Sequence, residues 1–157
     1  GCGKSSFIKA VLGTAGNAET SGRLEIPAGL RISYVNQDTS GLSGGLKDYA
    51  RMHGLDESML KALLRQLDFE RTQFDKRMEE YSEGQKKKVL LATSLLTPAH
   101  LYIWDEPLNF IDVFSRMQLE QLILKYQPTM LLVEHDTVFG AKVATRIVDV
   151  DITRTEP

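Results

Sequence analysis

Hydrophobic positions along the chain change period several times, and each change marks a predicted element. Phe7, Ile8, Val11 and Leu12 recur at helical spacing behind Lys4, and Gly13 stops that helix. Residues 13–22 are small and polar and read as a loop. The alternation Arg31-Ile32-Ser33-Tyr34-Val35 predicts a strand that delivers Asn36 and Gln37 into a Gly/Ser loop over 39–45. Over 56–68, Met59, Leu60, Leu63, Leu64 and Leu67 share one helical face, with Asp56 as the N-cap. Residues 69–81 are charge-rich, anchored by Phe69, Phe74, Met78 and Tyr81, and helix returns over 85–97 until Pro98 ends it. Leu101-Tyr102-Ile103-Trp104 is short and wholly apolar, the pattern of a strand buried on both faces. A helix over 113–126, a strand over 129–133, a helix over 137–144 and a strand over 146–150 complete the alternation. Strands alternating with helices predict an α/β fold with a mostly parallel sheet, interrupted by an inserted helical stretch.

Composition narrows the class. The 157 residues are enough for one domain with a small insertion, and 42% hydrophobic and 25% charged residues are ordinary for a globular protein. Nineteen Lys+Arg against twenty-one Asp+Glu leave a net charge of -2, so no global basic field holds nucleic acid. The single cysteine, Cys2, forms no internal disulfide, and no apolar run approaches the roughly 20 residues that cross a bilayer. A cytoplasmic domain is expected. The chain opens Gly1-Cys2-Gly3-Lys4-Ser5-Ser6, without an initiator Met or a preceding strand, and reads as a piece truncated at its N-terminus.

Four segments carry candidate chemistry. Gly1, Cys2, Gly3, Lys4 and Ser5 match the last five positions of G-x-x-x-x-G-K-[ST], in which backbone amides and a helix N-terminus surround phosphate, lysine reaches the β/γ-phosphates and serine ligates Mg²⁺. A glycine turn capping a helix is the plain alternative, and Cys2 is a spacer without a histidine partner. Asp105 and Glu106 end the apolar strand at the sheet edge where α/β proteins bind ligands, suited to holding Mg²⁺ through water and to orienting or deprotonating a water. A strand ending in a charged turn before Pro107 would read the same way. In Tyr81-Ser82-Glu83-Gly84-Gln85-Lys86-Lys87-Lys88, three lysines crowd a helix start that disfavours cations, so either a phosphate sits there or the face is simply solvated. His135 follows the buried run 131–133 at the same sheet edge, placed to donate to a γ-phosphate, while His53 and His100 read as structural.

Taken in order, these motifs resemble those of the ATP-binding-cassette ATPases across residues 1–150. The resemblance implies a P-loop NTPase fold, with a nucleotide-binding core over 1–47 and 86–157 and a helical subdomain over 48–85 ending in the signature motif. It implies ATP and Mg²⁺ as ligands. Gly1, Cys2, Gly3, Lys4, Ser5 and Ser6 would hold the phosphates, and Ser5, Gln37 and Asp105 the metal. Glu106, His135 and Gln37 would act in hydrolysis. Ser82, Gly84 and Gln85 would serve the nucleotide of a second cassette. Residues 108–112 match the D-loop. Tyr81 and Glu83 depart from the usual Leu-Ser-Gly-Gly-Gln, and a carboxylate at 83 would repel a γ-phosphate if aimed at it.

Pro107-Leu108-Asn109-Phe110-Ile111-Asp112, with the signature and Val133-Glu134-His135-Asp136, looks most similar to ABC-F proteins. More narrowly, it resembles the second cassette of the antibiotic-resistance group. That likeness implies a second cassette in the same chain and the ribosome, with its rRNA and tRNA, as partners. The rivals are the ATPase subunit of a membrane transporter, partnered by a membrane domain, and a DNA-repair or chromosome-organising ATPase. The latter usually inserts a coiled coil or zinc module where only residues 6–81 stand here. By the same resemblance, the strand feeding the phosphate loop and an adenine-stacking aromatic are expected upstream, and these 157 residues alone are expected to bind nucleotide weakly and turn over negligibly.

Overall fold

The computed structural model describes residues 3–16 and 21–150. Helix α1 (Lys4–Val11) leads to strand β1 (Ile32–Val35). Helices α2 (Leu46–Met52) and α3 (Glu57–Gln66) and two 3-10 turns, Arg71–Gln73 and Met78–Glu80, follow before α4 (Glu83–Leu96). Then come β2 (Leu101–Asp105), α5 (Val113–Tyr126), β3 (Met130–Val133) and α6 (Thr137–Val143). The three strands form one parallel sheet in the order β1-β2-β3, with Val35 opposite Trp104 and Asp105 opposite Val133. Parallel pairing brings all three carboxyl ends to one edge, where Asn36, Glu106 and Glu134 continue the chain.

Strand alternation divides the core in two. Ile103 faces α1, packing with Ile8 and Val11 and with Leu12, Ile32, Leu101, Leu131 and Val133 around them. Trp104 and Val35 face the other way, into a larger core built from α2, α3, α4, α5 and Phe139 of α6. A buried polar knot ties that side. Trp104 Nε1 donates to Ser94 Oγ at 2.9 Å, and Ser33 Oγ lies 2.7 Å from the same oxygen, so β1, β2 and α4 share one serine.

Local chemistry sets the helix ends. Asp56, Ser82, Asp112 and Asp136 each accept a hydrogen bond from the backbone amide three residues on, satisfying N–H groups that a helix leaves without partners. At the other end of α1, Gly13 takes φ +72° and closes the helix with bonds to the Ala10 and Lys9 carbonyls from its own amide and that of Thr14. His100 clasps the starts of two strands, its Nδ1 accepting from the Arg31 amide and its own amide donating to the Arg31 carbonyl.

Two expectations fail. Residues 146–150 pair with no strand among the described residues and lie exposed, with Ile147 and Val148 about two-thirds accessible. Alternating β-formers record which side each residue would face, but a strand also needs an edge to join. The three lysines opening α4 are not a solvated face. Lys86 leans toward Glu83 at 3.6 Å, Lys88 is buried against Asp112 at 2.8 Å, and Lys87 is buried with its Nζ on the Asn36 carbonyl at 3.1 Å.

Candidate functional site

The phosphate-loop residues stand at the start of α1, with Gly3 in the left-handed region at φ +69° and Lys4 as the first helical residue. Gly1 and Cys2 lie outside the described residues. Lys4 reaches across the carboxyl edge of the sheet: its Nζ is 3.5 Å from His135 Nδ1, and His135 Nε2 is 3.0 Å from Glu106 Oε1. The ammonium only donates and the carboxylate only accepts, so an imidazole carrying its proton on Nε2 satisfies both neighbours. Three side chains, Lys4 more than a hundred residues from the other two, thus form one polar line, Lys4 to His135 to Glu106.

Glu106 is held from several sides. Its backbone amide donates to the Val133 carbonyl at 2.8 Å, and Asn109 Nδ2 donates to Oε2 at 2.9 Å. Its φ of +49° is uncommon for a residue with a side chain, and Phe110 nearby has φ +65°. Strained backbone of this kind persists where surrounding contacts enforce it, and it concentrates at functional positions. Glu134, which the motif reading passed over, braces the turn by accepting from the Leu108 amide at 3.2 Å and the His135 amide at 2.9 Å.

Beside this line lies a cleft of about 430 Å³ bordered by Ser5, Tyr34, Asn36, Gln37 and Asp105. Gln37 Nε2 donates to Asp105 Oδ1 at 3.2 Å, leaving its amide oxygen as a hard donor. Among the described residues no three His, Cys, Asp or Glu side chains converge on one point. Mg²⁺ keeps several waters and takes one or two protein oxygens together with substrate phosphates. The serine hydroxyl, the amide oxygen and one carboxylate fit that demand. Burial, reinforced by the Asp105 charge, pushes the Tyr34 hydroxyl above its ordinary pKa.

The signature residues stand apart from this cluster. Ser82 and Gln85 satisfy each other, Ser82 Oγ accepting from the Gln85 amide at 3.2 Å and Gln85 Oε1 from the Ser82 amide at 2.9 Å. Gly84 lies against the 108–112 loop so closely that a Cβ there would sit 2.5 Å from the Phe110 carbonyl oxygen. Glu83 turns toward the segment after β1, accepting from Thr39 Oγ1 at 2.5 Å. Among the described residues, no hydrogen bond joins Ser82, Gly84 or Gln85 to Lys4, Glu106 or His135, and Ser6 stands exposed on the first turn of α1.

Sequence reasoning quoted Lys87, Lys88 and Glu134 within motifs but gave none of them a role of its own. A Lys-Lys-Lys run gives no sign of which cation an overlying loop will bury, and Glu134 beside a histidine looks like any polar strand end.

A family profile described as ABC transporter matches residues 1–109. The chain is 33% identical over 147 residues to the ATP-binding protein Uup of Buchnera aphidicola, covering 88% of this chain and 24% of that protein. It is 27% identical over 169 residues to ABC transporter F family member 5 of Arabidopsis thaliana, covering 96% and 22%. Among solved structures, the archaeal ribosome recycling factor aABCE1, in complex with the ribosomal stalk protein aP1, superposes with a TM-score of 0.71 at 26% identity, over 90% of this chain and 28% of that one. The chain spans about a quarter of the length of these relatives. Among the described residues no helix is long and apolar enough to cross a membrane. With the profile match over residues 1–109 beside this geometry, the chain belongs to the ABC transporter family.

Proposed function

We propose that this cassette binds and hydrolyses ATP within an ABC-F type protein that acts on the ribosome, in antibiotic resistance by ribosomal protection. The observation that carries the hydrolytic reading is the line from Lys4 through His135 to Glu106. It sets a cation, a hydrogen-bonding ring and a carboxylate at the carboxyl edge of a parallel sheet, beside a helix N-terminus and an oxygen-lined cleft.

Lys4 and the first amides of α1 bind the β/γ-phosphates. Ser5, Gln37 and Asp105 would hold Mg²⁺, which would offset the charge of the phosphates. Glu106 accepts a proton from, or orients, the water that attacks the γ-phosphate, and Asn109 and His135 keep its carboxylate in place. Ser82, Gly84 and Gln85 face a second cassette's nucleotide, which accounts for their separation from Lys4. Glu83 does not oppose that role, because its carboxylate is occupied by Thr39. The ribosomal reading is supported by the likeness to ABC-F proteins and to a ribosome recycling factor, and the drug-protection reading by the resemblance of residues 107–112, 81–88 and 133–136 to the antibiotic-resistance group.

The test is Glu106→Gln in the intact protein. ATP affinity should stay within about twofold while turnover falls by about 10²–10⁴. The ATP-loaded protein should accumulate on ribosomes in sedimentation. Normal steady-state turnover removes Glu106 from the reaction, and recovery with membrane vesicles instead of ribosomes overturns the ABC-F role.

A further inference from the structure

Lys87 stands out from its neighbours in α4. It is 1% exposed and among the largest fully buried side chains of the protein. Lys88, also buried, is neutralised by Asp112 at 2.8 Å, and Lys86 leans on Glu83. Lys87 forms no ion pair within 4 Å among the described residues. Its ammonium instead donates to the Asn36 carbonyl at 3.1 Å, the residue immediately before Gln37. Burying an ammonium carries a large desolvation cost that a methionine in the same place would not. A costly group that the fold does not need points to the site.

The surroundings say what it does there. Burial pulls the Lys87 pKa below the ordinary lysine value, and the fields of Asp105, Glu106 and Glu134 oppose that pull. Those three carboxylates stand together at the carboxyl ends of β2 and β3. Lys87 therefore brings fixed positive charge to the acidic side of the cleft while gripping the backbone that carries Gln37. A second tie, Thr39 to Glu83, fastens the same segment to the same helix three residues further along.

We propose that Lys87 is a positioning residue for ATP hydrolysis: from the signature helix it anchors the Asn36 carbonyl, and so Gln37, and its charge steadies the carboxylates Asp105, Glu106 and Glu134. The proposal rests on the hydrolytic reading above. Lys87 is buried and bonded to the Asn36 carbonyl, so its work shows in turnover and not in binding.

The experiment compares K87M and K87Q in the intact protein by three measurements: the thermal midpoint, nucleotide affinity by fluorescent-ATP titration, and kcat. K87M relieves a buried charge and should melt at or above the parent temperature. It should bind ATP within about twofold of the parent, while kcat drops by about ten- to a hundredfold as Gln37 and the carboxylates lose their fixed placement. K87Q keeps a donor toward the Asn36 carbonyl and should recover part of that rate. A K87M protein with unchanged kcat overturns the proposal. So does one that fails to fold, or that loses melting temperature, nucleotide affinity and kcat together, since the lysine would then serve the fold. No recovery in K87Q overturns the anchoring role. If E106Q abolishes turnover while K87M does not, only Lys87 is misassigned; if E106Q itself turns over normally, the hydrolytic reading has failed.

Discussion

At Gly84 the absence of a side chain is a packing requirement. The Phe110 carbonyl occupies the place where a Cβ would project, at 2.5 Å, and it belongs to backbone that already holds φ +65°. An alanine there must push the 108–112 loop outward. Asn109 travels with that loop, and its amide holds Glu106 Oε2 at 2.9 Å, so a methyl group on the signature helix reaches the general-base candidate through two contacts. Gly84→Ala should lower stability by about 1–3 kcal/mol, the usual cost of overpacking, and lower turnover as well. Denaturant unfolding and steady-state hydrolysis check the two effects. An unchanged unfolding midpoint would mean that the loop gives way freely and that Gly84 matters only to a partner.

The start of α5 shows how elements are joined across the chain. Asp112 caps the helix through the Ser115 amide at 3.0 Å and receives both the Ser115 hydroxyl at 2.7 Å and the buried Lys88 ammonium at 2.8 Å. Burial raises the Asp112 pKa, but the Lys88 and Ser115 hydrogen bonds outweigh it and bring the carboxyl down to about 2 from the ordinary 3.8. Asp112→Asn keeps the cap and strands the lysine. Because the aspartate is half exposed, the loss should be modest, about 1–2 kcal/mol by chemical denaturation at neutral pH. The sign follows from a lowered pKa in the folded state. The contribution is complete above about pH 4 and fades as pH falls toward 2, so parent and variant should converge across that window. A constant difference down to pH 2 would locate the effect outside the ion pair. The elements themselves were largely legible from sequence. The helices over 56–68, 113–126 and 137–144 and the strands at 31–35, 101–104 and 129–133 match α3, α5, α6, β1, β2 and β3 to within two residues at each end. Periodicity and caps are local, and local physics formed them. What escaped was non-local. Lys87 became a buried anchor only because Asn36 folds over it, Gly84 was constrained by a loop 26 residues away, and 146–150 lacked an edge despite its pattern. The members of the Lys4-His135-Glu106 line were each visible as motif residues, but their spacing of 3.0 and 3.5 Å was not.

For the whole molecule, the two unequal cores predict where it opens first. Among the described residues, nineteen buried ones join α2 to α6 on one side of the sheet, whereas only Ile8, Val11 and Ile103 are buried on the side that α1 covers. Phe7 of α1 is half exposed, so the helix sits on a narrow apolar seam. Local opening is easiest where few apolar contacts resist it. The same helix carries Lys4 and Ser5 of the proposed phosphate site, so the element with the weakest hold on the sheet is also the one that a nucleotide would grip. Ligand bound only when α1 is docked adds its binding free energy to that docking, about 2.7 kcal/mol at a hundred times Kd. Native-state hydrogen exchange should therefore find the amides of α1 exchanging faster than those of Val89, Leu91 and Ala92 in α4. Added Mg²⁺-ATP should slow α1 far more than α4, and Lys4→Ala should remove most of that slowing without changing exchange in the absence of nucleotide. Equal exchange in α1 and α4 would show that the small core holds as firmly as the large one. Protection by nucleotide that survives Lys4→Ala would place the phosphate-binding charge elsewhere.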